Sequence, residues 1–242
     1  MNKALSAEQL KAGSDFFSLS ELHLLSGMDR DELDKTFYLD HFGEKGDCLY
    51  MEGDACKSIY FVRSGSLKIT TQNSSGISQI VGFYLAGELI GFDGFATNRH
   101  ACTAQFIETA SVSELRLETL DDLCKSSPSL LHKIYSIIGL EINTEHELLC
   151  LLGRMSAEEK LATFLLNFSS RMKQHHWKES EFNLVMPRQD IANYLGVAVE
   201  TISRLFAQFM DDGLIDVNRR HVKIIDKERL NKIIFDYSGK VK

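Results

Sequence analysis

The rhythm of apolar and polar positions changes along this chain and divides it into regions. Between residues 36 and 120, short apolar-rich runs (CLYME, SIYFV, LKITT, SQIVGFYL, TAQFIE, SVSELRL) alternate with glycines at Gly46, Gly53, Gly65, Gly76, Gly87 and Gly91. Regularly spaced strands broken by turn residues predict a jelly-roll barrel or sandwich. After Ser127-Pro128 the period becomes helical, with serine as a cap and proline at the favoured first position. Leu131, Tyr135, Ile138, Ile142, Glu145, Leu149 and Leu152 recur at alternating spacings of four and three, a seam of about three heptads. Gly153-Arg154-Met155 then reads as a hinge. Ser156-Ala157-Glu158-Glu159 has the arrangement of a capping box, and EKLATFLLNFSSRM continues as a helix. Ahead of the strands, LSAEQL and MDRDELDKTF read as short helices within residues 1–35.

The most specific pattern is residues 187–210, PRQDIANYLGVAVETISRLFAQFM. It predicts two short helices joined by a tight turn at Gly196, which tolerates the left-handed backbone such a turn needs. Ala192 is small enough for the helices to cross closely. Ile191, Leu195, Val197, Ile202 and Leu205 form the apolar set that locks the pair to a core. Glu200, Ser203 and Arg204 share the opposite face, because spacings of three and four are helical neighbours. A polar face on the second of two such helices suits the DNA major groove. Gly213 closes the second helix. LIDVN and HVKIID flank Arg219-Arg220 as a predicted hairpin, a wing whose tip arginines suit phosphate. Arg188, Gln189 and Thr201 join Arg219 and Arg220 as expected DNA-backbone contacts.

Charge changes the picture once it is divided. The net charge of −7 is unexpected for a nucleic-acid binder. Residues 1–150 carry 12 Lys/Arg against 22 Asp/Glu, and residues 151–242 carry 15 against 12. The acidity therefore lies away from the two-helix motif, and affinity must come from local positive charge. No apolar stretch reaches the length of a membrane span, and the N-terminus lacks a secretory apolar block. Five cysteines without regular spacing fit a reducing compartment. A cytoplasmic protein without a membrane partner is expected.

A glycine-punctuated β-roll, a long heptad helix and a C-terminal winged helix-turn-helix together resemble the CRP/FNR superfamily of bacterial transcription regulators over nearly the whole chain. KSIYFVRSGSLK, GFYLAGELIGFD, LETLDDL, NYLG and VETISRL are closest to its FNR branch. The resemblance implies an α+β chain with three parts. These are a helical segment and cyclic-nucleotide-binding-like β-roll (1–126), a dimerisation helix and hinge (127–153), and a winged helix-turn-helix domain (154–242). It implies a homodimer on double-stranded DNA, with Leu131, Tyr135, Ile138, Ile142, Glu145, Leu149 and Leu152 at the twofold interface. In a twofold dimer Glu145 would face its own copy unless it bends outward to solvent. In FNR-type proteins the Glu, Ser and Arg of VETISR read TTGAT half-sites; here these are Glu200, Ser203 and Arg204. Arg204 can donate two bonds to guanine, Glu200 can accept from cytosine, and Val199 can touch a thymine methyl. The expected target is a TTGAT-N4-ATCAA-like palindrome, and the expected role is activation with an RNA polymerase contact near Gln72–Ser78, by family analogy.

The departures from the family bear on what is sensed. Oxygen-sensing FNR proteins hold a [4Fe–4S] cluster through N-terminal cysteines and one β-roll cysteine. No cysteine precedes Cys48 here, Ser113 aligns with the β-roll cysteine and His23 with the last N-terminal one. A four-thiolate site cannot be built from these positions, so no cluster is expected. Members that bind cAMP pair Gly-Glu-Leu with Arg-Ser/Thr-Ala. Gly87-Glu88-Leu89 is present, but Arg99 is followed by His100-Ala101, so Glu88 and Arg99 read as turn residues. His23, His41 and His100 show no ligand spacing for haem. Cys48, Cys56, Cys102, Cys124 and Cys150 leave thiol chemistry as an alternative gate. His175-His176-Trp177 reads as a surface or wing-packing feature. The simplest expectation is a regulator with no cofactor and no metal. A β-roll metalloenzyme is the rival of another class; it needs convergent His/Glu ligands, and the β-roll offers only His41 and His100. No nucleophile elbow, P-loop or dinucleotide fingerprint is present.

Overall fold

The computed structural model describes residues 39–174 and 180–235. The helices expected within residues 1–35, His23 and the His175-His176-Trp177 segment lie outside these residues. Two compact units divide between Glu141 and Ile142.

In the first unit, strands β1 (Leu39–Gly43), β2 (Cys48–Tyr50), β3 (Ser58–Ser64), β4 (Ser66–Gln72), β5 (Ser78–Leu85), β6 (Leu89–Ile90), β7 (Thr103–Phe106) and β8 (Ala110–Arg116) form two antiparallel sheets, ordered β1-β8-β3-β6 and β2-β7-β4-β5. Each expected strand is present. β1 and β6 are additional: β6 has two residues, and LDHFG has little alternation to reveal it. Val62, Leu67, Ala104 and Val112 are fully buried between the sheets. The register pairs Val62 with Val112 in one sheet, and Leu67 with Phe106 and Ile69 with Ala104 in the other.

On β3, alternate residues face opposite sides. Val62 and Tyr60 point to the inter-sheet core, whereas Ile59 and Phe61 pack with Leu115 beneath two helices. Burial on both faces explains why SIYFV is a continuous apolar run. The covering helices are α1 (Leu117–Ser126) and the first turns of α2 (Pro128–Arg154), through Leu120, Leu130 and Ile134. The Ser127 hydroxyl pairs with that of Ser129 rather than capping α2; its carbonyl instead accepts from the Leu130 and Leu131 amides. The Tyr84 hydroxyl bonds the Glu141 carboxylate and ties β5 to α2.

The second unit takes the end of α2, then α3 (Ala157–Gln174), β9 (Glu181–Asn183), α4 (Arg188–Leu195), α5 (Val199–Asp211), β10 (Ile215–Asn218), β11 (His221–Ile224) and α6 (Lys227–Phe235). The capping box is formed reciprocally. The Ser156 amide donates to the Glu159 carboxylate at 2.7 Å, and the Glu159 amide to the Ser156 hydroxyl at 3.2 Å. Phe164 of α3 lies against Tyr194 of α4, and Phe168 against Phe182 of β9. The predicted hairpin is part of a three-stranded antiparallel sheet, β10-β11-β9. β9 is three residues long, too short to show a period of two.

Candidate nucleic-acid interface

The turn between α4 and α5 forms at Gly196, whose φ of 61° is left-handed. Its amide donates to the Asn193 carbonyl at 3.1 Å, and the Val197 amide to that of Ala192 at 3.0 Å. Ile191, Ala192, Leu195, Ile202 and Leu205 are buried, and Val197 is half-buried. Phe206 and Phe209 complete the buried stripe of α5. With that side committed to the core, Glu200, Ser203 and Arg204 can only face outward, and all three are exposed. Val199 and Thr201 are half-buried at the start of the same helix. The Ser203 hydroxyl donates to the Val199 carbonyl at 2.9 Å, which leaves its oxygen lone pairs to accept. At the far end, Gly213 has a φ of 68°, and the Leu214 amide donates to the Phe209 carbonyl at 2.9 Å.

Arg219-Arg220 forms the two-residue connection between β10 and β11, flanked by the pair Asn218↔His221. Arg219 has a φ of 57°, the conformation that twists a tight hairpin correctly. Both arginines are exposed. Lys223 and Glu181, 3.2 Å apart, join β11 to β9. Gln189 is exposed on the first turn of α4. Arg188 differs: it is half-buried, with its guanidinium carbon 3.4 Å from the centroid of the Phe206 ring. Burial lowers its pKa from the ordinary arginine value. Nothing in the sequence marked Phe206 for this part, because the contact depends on how α4 crosses α5.

Along α2, Leu131 and Ile138 are half-buried, and Ile138 joins the packing against the first unit. Tyr135, Ile142, Glu145 and Leu149 are exposed, the three apolar ones by 59%, 47% and 67%. A stripe of large apolar side chains at seven-residue intervals is thus left uncovered by the described residues. Leu152 is half-buried, with its methyl 3.3 Å from where a side chain at Gly196 would begin.

The residues weighed for sensing have other partners. Glu88 accepts from the Leu85 amide at 2.9 Å, and Arg99 donates to the Gly53 carbonyl at 2.6 Å. His41 bonds Glu114 at 2.7 Å. His100 is buried, stacked 3.7 Å from Tyr50, with Nδ1 3.1 Å from Asp93. Ser113 donates to Asp40 at 2.6 Å and accepts from Arg63 at 2.7 Å. A hydroxyl engaged on both sides does not fit the place of a cluster thiolate. Among the described residues, no group of three or more His, Cys, Asp or Glu side chains could hold a metal ion. No disulfide joins the cysteines; burial pushes the Cys56 and Cys124 thiols up, away from reactivity. No described helix is long and apolar enough to cross a membrane.

Residues 159–233 match the Crp-like helix-turn-helix domain, and residues 42–127 match the cyclic nucleotide-binding domain. The chain is 39% identical over 217 residues to the fumarate nitrate reduction regulatory protein of Klebsiella oxytoca, covering 90% of this chain and 84% of that protein. It is 39% identical over 207 residues to electron transport regulator A of Shewanella oneidensis, covering 86% and 83%. Among solved structures, FixK2 from Bradyrhizobium japonicum aligns with a TM-score of 0.75 at 26% identity, covering 81% of this chain and 96% of that one.

Proposed function

This chain belongs to the CRP/FNR superfamily of DNA-binding transcription regulators, close to the FNR branch and without its cluster-binding cysteines, and on that premise we propose that it works as a homodimer reading an inverted repeat of the form TTGAT-N4-ATCAA. The family is one of regulators, not enzymes. The observation that carries the proposal is the division of α5. Its inner side is fully committed to the core, and its outer side presents a carboxylate, a hydroxyl and a guanidinium within two turns. Arg204 would take guanine O6 and N7, Glu200 a cytosine amino group, Ser203 a neighbouring edge and Val199 a thymine methyl. Arg188, Gln189, Thr201, Arg219 and Arg220 would hold phosphates and fix the register.

The uncovered stripe of Tyr135, Ile142 and Leu149 supports dimerisation, since a twofold pairing of α2 would remove it from water. Paired recognition helices then match the palindrome by symmetry. Glu88 is engaged within its own turn, on the Leu85 amide, and Arg99 on the Gly53 carbonyl of another loop, which supports a regulator governed by its abundance or dimer equilibrium rather than by a cyclic nucleotide. Activation would bring the β4–β5 turn to RNA polymerase, by analogy with the family. There the Asn73 side chain accepts from the Ser75 and Ile77 amides and holds Ile77 exposed.

Gel-shift and footprinting with the inverted repeat and a random duplex, in air and under anaerobic conditions, test this. Protection of both half-sites is the expected result; equal binding to both duplexes under every condition overturns it. A visible absorption band from anaerobically purified protein would show that a chromophoric cofactor takes part after all.

A further inference from the structure

Arg188 is unlike the other expected backbone contacts. At 3.4 Å from the ring centroid, its guanidinium can only lie face to face with Phe206, because an edge-on approach would drive its N–H groups into the ring. One face of the group is therefore spent on the stack. The N–H edge is not, since none of its donors bonds another described residue. Burial pulls its pKa down, yet an arginine stays charged at neutral pH. Its donors still reach water, and a charged donor gains most when it exchanges that water for an anion. The ring that holds it is in turn immobilised: Phe206 is 3% exposed on the inner side of α5, two residues beyond Arg204.

We propose that Phe206 is a positioning residue for DNA-backbone recognition, holding the Arg188 guanidinium flat so that its free edge meets a phosphate already oriented. The proposal rests on the DNA-binding reading above and specifies which side chain prepares that contact. A free arginine loses much rotamer freedom when it binds. Here the stack has already removed that freedom, and a preorganised group binds more tightly for the same contacts. A planar fork also suits the oxygens of a phosphate, which it can take in bidentate fashion. The stack links the first residue of α4 to the recognition helix, so the phosphate contact and the base-reading face are set by one packing arrangement.

Full-length protein and variants, titrated by fluorescence anisotropy against the inverted repeat and a random duplex over a range of salt, test the assignment. Arg188→Gln should weaken both duplexes by the same factor and flatten the log–log salt dependence by about 0.9 per bound protomer. Phe206→Met, which removes the ring but keeps much of its bulk, should weaken binding about two- to tenfold per protomer. It should have no further effect when combined with Arg188→Gln. Phe206→Tyr should bind as the unaltered protein does, and Arg188→Lys should keep the salt slope while losing its sensitivity to Phe206→Met. Equal losses from Phe206→Met with and without Arg188→Gln would overturn the proposal, as would an unchanged slope in Arg188→Gln. Should Phe206→Met fail to fold, Phe206→Leu takes its place in the same cycle, with the same expected and overturning results. The random duplex separates the two readings: lack of preference for the repeat defeats the sequence-reading claim, whereas the Arg188–Phe206 cycle on random DNA still judges the stack.

Discussion

Single side chains on α5 differ in what they can distinguish. Arg204 is exposed on the outward face, where its fork can match a guanine edge. Arg204→Ala should cost about 1–3 kcal/mol and relax one base position. Binding to a set of single-base operator variants would measure this; an equal loss on every sequence would mark Arg204 as a phosphate contact. In the first unit, Glu114 shows how one carboxylate secures the β-roll. Burial raises its pKa, but hydrogen bonds from Ser58 and His41 and the charge of Arg116 outweigh that and hold it below the ordinary glutamate value. A lowered folded pKa means stability that is present above the unfolded value of about 4.3 and lost as pH falls through the folded one. Thermal melts over the acid range should show that loss shrink in Glu114→Gln. The shared outward face of Glu200, Ser203 and Arg204 was legible in VETISR. The Arg188–Phe206 stack was not, because the two are distant in sequence and meet only when the helices cross.

At the scale of elements, most signals carried by short chemical motifs came through, the Ser127 side-chain cap excepted. The capping box at Ser156–Glu159, the left-handed turn at Gly196 and the close of α5 at Gly213 each form where the residue types demand them. Elements that exist only because a neighbour completes them, such as β6 and β9, left no mark. The helix α2 carries both kinds of information. Its heptad pattern is local, but the choice of which apolar residues face the β-roll and which stay uncovered belongs to the packing of Leu130 and Ile134. Glu145 is exposed in that uncovered stripe. In a twofold pairing it approaches its own copy, where two carboxylates repel or one takes up a proton. Glu145→Ala and Glu145→Leu should each tighten self-association in analytical ultracentrifugation; an unaltered monomer–dimer constant would remove this role.

For the whole molecule, charge and architecture pull in different directions. An acidic first part repels DNA, and a basic last part must overcome that repulsion locally. Replacing Arg219 or Arg220 by alanine should therefore weaken all duplexes alike and reduce the salt slope by about 0.9 per arginine and protomer. Anisotropy titrations would show it, and a loss confined to one sequence would mean the wing reads bases. The chain's periodicities alone determined the order of its parts, a glycine-broken β-roll, a heptad helix and a winged pair of helices. Each of these is written in spacings of two, three or four residues, which local backbone geometry imposes on any sequence. Tertiary structure alone decided that Ser113 is engaged between Asp40 and Arg63, that Arg99 reaches the Gly53 carbonyl, and that Arg188 lies on Phe206. Those outcomes depend on distances between residues far apart along the chain, and only packing sets such distances.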